Sequence, residues 1–177
     1  MTAAEAIGTL QSAPPAGDAV RRVELRSDEL ALCGLERIDY YDAFFAETEL
    51  AERGSGEDWA RAVLEGVPLQ IRSALLAGWT GLGLKLGAFP ADRHVLGWEL
   101  LRSDSDEALL AAGSRLGMPA ELLLGRRPGG LFLATFVRQE NAVASKVWAG
   151  IAPVHRRVVP HVLELAAGAA ARADALP

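Results

Sequence analysis

Hydrophobic and polar positions alternate with one period in the first half of the chain and another in the second. Ile71, Leu75, Trp79, Leu82 and Leu86 recur at spacings of three and four, a single apolar stripe at the period of an α-helix. Pro68 just ahead of it suits a first helical turn, where the missing N–H costs nothing. A shorter helix is expected to run to Leu64, capped by Ser55 or Asp58 and ended by Gly66. Gly78, Gly81, Gly83 and Gly87 weaken the later turns of the stripe and indicate close backbone packing or an irregular end. Upstream, residues 38–47 are aromatic-rich and read as a strand. The adjacent aromatics there imply contacts on both faces, and one of Tyr40 and Tyr41 should point inward.

From His94 the pattern shifts to short apolar segments separated by turn residues. Segments 95–102, 107–116, 120–127, 131–138 and 143–151 predict five strands in an antiparallel meander. A final helix is expected from Pro153, carrying Val154, Val158, Val162, Leu165 and Ala169 on one face, with Arg172 near its C-terminal end. Pro160 predicts a kink or restart within it. The reading is α+β: a curved antiparallel sheet wrapped around a long C-terminal helix, with two shorter helices after the first strand. Residues 1–19 form a flexible lead, 20–173 a single domain and 174–177 a tail. The segment 20–35 is ambiguous, and Ala3 to Leu10 has material for a helical turn or two.

Composition narrows the function classes. The chain has 177 residues, half of them hydrophobic, and a net charge of −5. That fits a globular protein and argues against disorder or general nucleic-acid binding. Cys33 is the only cysteine, so neither an intramolecular disulfide nor a zinc site with several thiolates is available, as suits a reducing cytoplasm. Cys33 itself reads as a small buried hydrophobe. The Ala-rich stretch 158–175 is interrupted by Pro160, His161, Glu164, Arg172 and Asp174 and predicts no membrane span. The N-terminus lacks the early basic residues of a secretory signal.

The element order resembles the helix-grip fold of the START-like, or birch-pollen-allergen-like, superfamily over roughly residues 38–173. More narrowly, Asp39-Tyr40-Tyr41-Asp42-Ala43-Phe44, Ala134-Thr135-Phe136-Val137 with Asn141, and Trp148-Ala149-Gly150-Ile151-Ala152-Pro153-Val154-His155-Arg156 look like a bacterial family of unknown function. Members of that family are sometimes fused behind NAD-binding epimerase-like domains. The resemblance implies a cavity between sheet and helix and a hydrophobic or aromatic small molecule as partner, without a cofactor. Two other functions stay open: a cofactor-free cyclase or dehydratase of secondary metabolism, and an interaction or oligomerisation module. Homodimerisation is also left open.

Candidate chemistry is sparse. His155 is expected in the first turn of the final helix, beside Arg156 and Arg157. Three basic residues are ill placed at a positive helix end unless a carboxylate, phosphate or neighbouring chain compensates. His155 is therefore both a ligand-binding and a catalytic candidate, and Arg156 an anion contact. Glu99 is the second catalytic candidate if it faces the cavity; otherwise it is solvated or pairs with Arg138 or Arg115. Trp98 shares a strand face with Leu96 and Leu100. Trp79, Trp98 and Trp148 are candidates for an aromatic wall around a flat ligand. Asp39 and Asp42 fall on opposite strand faces, which argues against a two-carboxylate glycosidase. Gly81 to Gly87 lacks the spacing of a phosphate loop. His94, His155 and His161 have no carboxylate at metal-ligand spacing, so no metal site is expected.

Overall fold

The computed structural model describes residues 3–12, 17, 19–48 and 54–174. The elements, in chain order, are α1 (Ala3–Gln11), β1 (Val20–Arg22), α2 (Ser27–Leu30), β2 (Tyr40–Glu47), α3 (Gly56–Leu64), α4 (Leu69–Gly81), β3 (Leu84–Lys85), β4 (His94–Val95), β5 (Trp98–Ser103), β6 (Glu107–Ser114), β7 (Ala120–Arg127), β8 (Gly130–Val137) and α5 (Ala142–Asp174). The fold is α+β. An eight-stranded antiparallel sheet runs β1-β2-β8-β7-β6-β5-β4, with β3 on β6. The sheet is curved, and α5 packs across its inner face.

Local chemistry explains the helix starts. Ser55 caps α3, its hydroxyl accepting from the Asp58 N–H while Asp58 reaches back to the Ser55 N–H. Pro68 opens α4. Leu75 of the apolar stripe is buried and Ile71, Trp79, Leu82 and Leu86 pack against the same core, but α4 ends at Gly81, so Leu82 and Leu86 lie beyond the helix. Gly87 marks a close approach: a Cβ there would stand 2.1 Å from Nε2 of His94.

The expected strands at 95–102, 107–116, 120–127 and 131–138 correspond to β5, β6, β7 and β8. The fifth, 143–151, is instead the start of α5. Asn141 caps it, its side-chain oxygen accepting from the Ala144 N–H at 2.9 Å. Ala144, Trp148 and Ala152 then bury one face at helical spacing while Val143 stays exposed. Helix α5 runs through both Pro153 and Pro160. Each proline withholds a donor from the carbonyl four residues back, on Ala149 and Arg156. Both of those residues are exposed, so water can take the donor's place. Pro153 is therefore not the start of the helix, and Pro160 produces no restart.

Within the expected lead 1–19, Ala3–Gln11 form α1, in line with the helical option for Ala3 to Leu10, and pack on α4. Leu10 is buried there. Residues 1–2, 13–16, 18 and 175–177 of the expected lead and tail lie outside the described residues.

The sheet is covered on both sides. Its inner face joins α3, α4 and α5 in the main core. Its outer face, with Phe45, Leu123, Phe132 and Phe136, is covered by Val23, Leu25, Leu30, Leu32, Cys33, Leu35 and Ile38. This irregular segment, 23–38, forms a strap. Two buried carboxylates fasten it. Glu29, 1% exposed, pairs with Arg127 of β7, and Glu121 of β7 accepts the Gly34 N–H at 2.8 Å. Among the described residues, no helix is long and apolar enough to cross a membrane.

Two predictions follow from the strap. Arg127→Met leaves the buried Glu29 carboxylate with only the exposed Arg26 as its cation and should cost about 2 kcal/mol, read from urea unfolding; an unchanged midpoint would show that the pair with Arg127 does not hold the strap. Burial, reinforced by Glu121, pushes the Cys33 thiol up to about 12. At pH 8 native Cys33 should react with iodoacetamide at least about a hundredfold more slowly than the urea-unfolded chain.

Candidate functional site

The period-two geometry of the sheet decides what faces α5. On β2, Phe44 and Ala46 belong to the inner core and Ala43 and Phe45 to the outer one. Tyr40 and Asp42 therefore point inward with Phe44. On β8, Leu133 and Val137 point inward, and Thr135 lies between them on the same face. Asp42 and Thr135 are direct partners in the β2–β8 register, which brings their side chains close together.

Between this face, α4 and α5 lies a cavity of about 120 Å³. A cavity of about 150 Å³ with an aliphatic and aromatic wall takes up benzene in another protein, so the scale is that of one ring. Leu75, Trp79, Leu122, Leu133, Val158 and Val162 are typical of its wall. Three buried polar atoms on residues of that wall have no hydrogen-bond partner: Nε1 of Trp98, Oγ1 of Thr135 and Nε1 of Trp148. His155 is the titratable side chain on the wall.

His155 is held from behind. Its Nε2 lies 3.2 Å from Oδ1 of Asp42, whose side chain has no exposed surface. The Tyr40 hydroxyl donates to the other Asp42 oxygen. Trp148 stands edge-on to Tyr40 at 4.8 Å and tilted against His155 at 5.3 Å, so it packs on both rings that hydrogen-bond the carboxylate. Burial first, and Asp42 second, push the Tyr40 hydroxyl well above its ordinary range, with the Arg156 guanidinium opposing them. Tyr40 is therefore a lasting donor. A carboxylate only accepts, so it assigns the proton to Nε2 of His155 and leaves a lone pair on Nδ1.

The candidates drawn from the sequence divide in two. Trp79, Trp98, Trp148 and His155 meet at the cavity. Glu99 does not: alternation sends it away from Trp98 into solvent, 53% exposed and 3.9 Å from Arg93. Arg138 pairs with Glu36 at 2.8 Å instead of with Glu99. Arg156 is exposed and lies off the wall, beside Tyr40. Because α5 begins at Ala142, His155 sits about three and a half turns inside it. Its acidic partner is real, but the helix dipole does not supply the reason. Arg157 donates to the Gln11 carbonyl at 3.0 Å, holding the last residue of α1.

Asp42, Tyr40 and Thr135 were not singled out as site residues by sequence. A usable signal existed for Thr135, a polar side chain flanked two residues away by Leu133 and Val137, and for Asp42, two residues from Phe44, on buried strand faces. Among the described residues, no group of three or more His, Cys, Asp or Glu is placed to hold a metal ion.

No protein family, no curated protein and no solved structure matches this chain in comparisons with known proteins. The arrangement itself thus carries the functional argument. It can enclose a ring-sized apolar molecule and offer it hydrogen-bond donors and one imidazole.

Removing the partner of a buried carboxylate costs about 3 to 5 kcal/mol. His155→Leu should lose stability on that scale in urea unfolding at pH 7. His155→Gln, whose amide can still donate to Asp42, should recover most of it. Equal losses in both variants would show that packing of the ring, and not the hydrogen bond, is what matters.

Proposed function

We propose that the protein binds a small, largely apolar ring compound between the sheet and α5. The observation that carries this reading is the partly open apolar cavity of about 120 Å³ walled by Trp79, Trp98 and Trp148. Well-packed interiors leave few voids larger than a water molecule, and an apolar cavity with a few polar atoms in its wall is the usual form of a small-molecule site. The resemblance to START-like helix-grip proteins favours the same place and the same class of ligand. The interaction-module alternative has less support. Nothing among the described residues of the structure specifically favours it. The cytoplasm suits such a protein, whose single cysteine forms no internal disulfide.

Toluene is a suitable first probe. Calorimetric titration should show saturable uptake by the wild type and none by Ala120→Leu, which extends a side chain from the sheet into the cavity. The variant should melt no lower than the wild type, because filling a void tends to stabilise. Native mass spectrometry of freshly purified protein would report a retained natural ligand. Uptake of toluene by both proteins alike would place binding elsewhere and overturn the reading.

A further inference from the structure

The polar atoms of the cavity are not spread evenly. Thr135 is the register partner of Asp42, and Trp148 packs against His155. Trp98 packs instead edge-on against Trp79 at 5.4 Å, on β5, which β8, β7 and β6 separate from β2. One end of the cavity thus collects the imidazole, a hydroxyl and an indole N–H. Both of those donors lack a partner although Thr135 is 3% and Trp148 9% exposed. A buried donor left unmatched costs about 1 to 3 kcal/mol. A ligand with an acceptor oxygen at this end would relieve that cost, and a plain hydrocarbon would not.

The imidazole adds a reaction to this recognition. With Nε2 committed to Asp42, Nδ1 holds a lone pair and has no hydrogen-bond partner among the described residues. The Asp42 carboxylate would stabilise the imidazolium formed when Nδ1 takes a proton. The ring is 15% exposed, so a proton gained there can exchange with solvent.

Building on the binding reading above, we propose that the cavity is a proton-transfer site for small ring ketones, with His155 as the general base. The C–H bond next to the carbonyl breaks and its proton goes to Nδ1 of His155. The electron pair forms a carbon–carbon double bond while the carbonyl π pair moves onto oxygen. The Thr135 hydroxyl and the Trp148 N–H donate to that oxygen, and their stabilisation grows as its charge develops. Return of a proton from Nδ1 to carbon regenerates the ketone. Nothing is oxidised or reduced, and no co-reactant is consumed. Isomerisation of ring ketones that differ in double-bond position is the class of reaction this step serves.

Cyclohexanone tests the step, with proton NMR in H2O reading binding and in D2O reading chemistry. Binding should shift the indole N–H signals of Trp148 and Trp98, and the protein should accelerate deuterium uptake at the carbons beside the carbonyl. His155→Gln keeps a donor to Asp42 and should lower the bound-state exchange rate about a hundredfold or more, the usual contribution of a general base. Thr135→Val is close to isosteric and leaves the His155–Asp42 pair intact. It should lower the rate about tenfold or more while cyclohexanone still shifts the indole signals, and it serves alone should the His155 variant fail to fold. Indole shifts without exchange above the rate in buffer would overturn the proton-transfer proposal and leave the binding reading standing. Absence of any indole shift would overturn both.

Discussion

The Asp42 carboxylate is the constraint on which the arrangement of α5 over the sheet depends. A charge with no exposed surface is expensive to bury, and good geometry to its partners must offset the loss of water. Those partners come from two elements. Tyr40 is on its own strand and His155 is on α5. The contact with His155 spans 113 residues of chain. An apolar interface alone would tolerate sliding of the helix along the sheet, because dispersion and burial are non-directional. A hydrogen bond to a buried carboxylate is directional, and it fixes which turn of α5 faces β2. The position of the cavity follows from that registration.

A second constraint lies on the other side of the sheet. Every residue of β8 from Gly130 to Val137 is buried, which requires cover on both faces. The inner cover is made of helices. The outer cover is the strap, which has little regular structure and is tied to the sheet by two buried carboxylate contacts, Glu29 to Arg127 and Glu121 to the Gly34 N–H. Both contacts are made to β7. The strap thus leads into β2, the strand that carries Tyr40 and Asp42, while anchored two strands away. Tyr40 and Asp42 therefore stand on a strand packed on both faces, as suits groups that must hold His155 in place.

Much of this architecture is legible in the chain, and the exceptions have physical causes. The apolar stripe of α4, the Ser55 cap and the strands β5 to β8 are local patterns with one dominant period. The start of α5 is harder, because Val143 to Ile151 satisfies a strand and a helix almost equally while Pro153 is a strong local stop signal. The tertiary burial of Ala144, Trp148 and Ala152 outweighs that signal. The aromatic wall of Trp79, Trp98 and Trp148 was readable as a set of candidates. The site around His155 was only half readable. The excess of basic residues implied an acidic partner, but the assumed cause, a helix N-terminus, was wrong. The true partner was a carboxylate in β2 that local reading could only assign to a face. Glu99 was ambiguous for the opposite reason: alternation fixes that it opposes Trp98, and only the curvature of the sheet decides which of the two is enclosed.

The same bond that positions α5 also determines what His155 can do. A histidine free to rotate offers either nitrogen to solvent, and its tautomers are close in energy. Bound through Nε2 to an acceptor-only group, it has one tautomer and one free lone pair. Tyr40 strengthens this assignment, since its hydroxyl, pushed well above its ordinary range by burial and by Asp42, continues to donate to the carboxylate and does not compete for the imidazole proton. Stabilising the helix and fixing the imidazole tautomer are thus one interaction. A variant that keeps a donor at position 155 separates the two roles, because an amide can hold the helix but has no lone pair basic enough to take a proton from carbon.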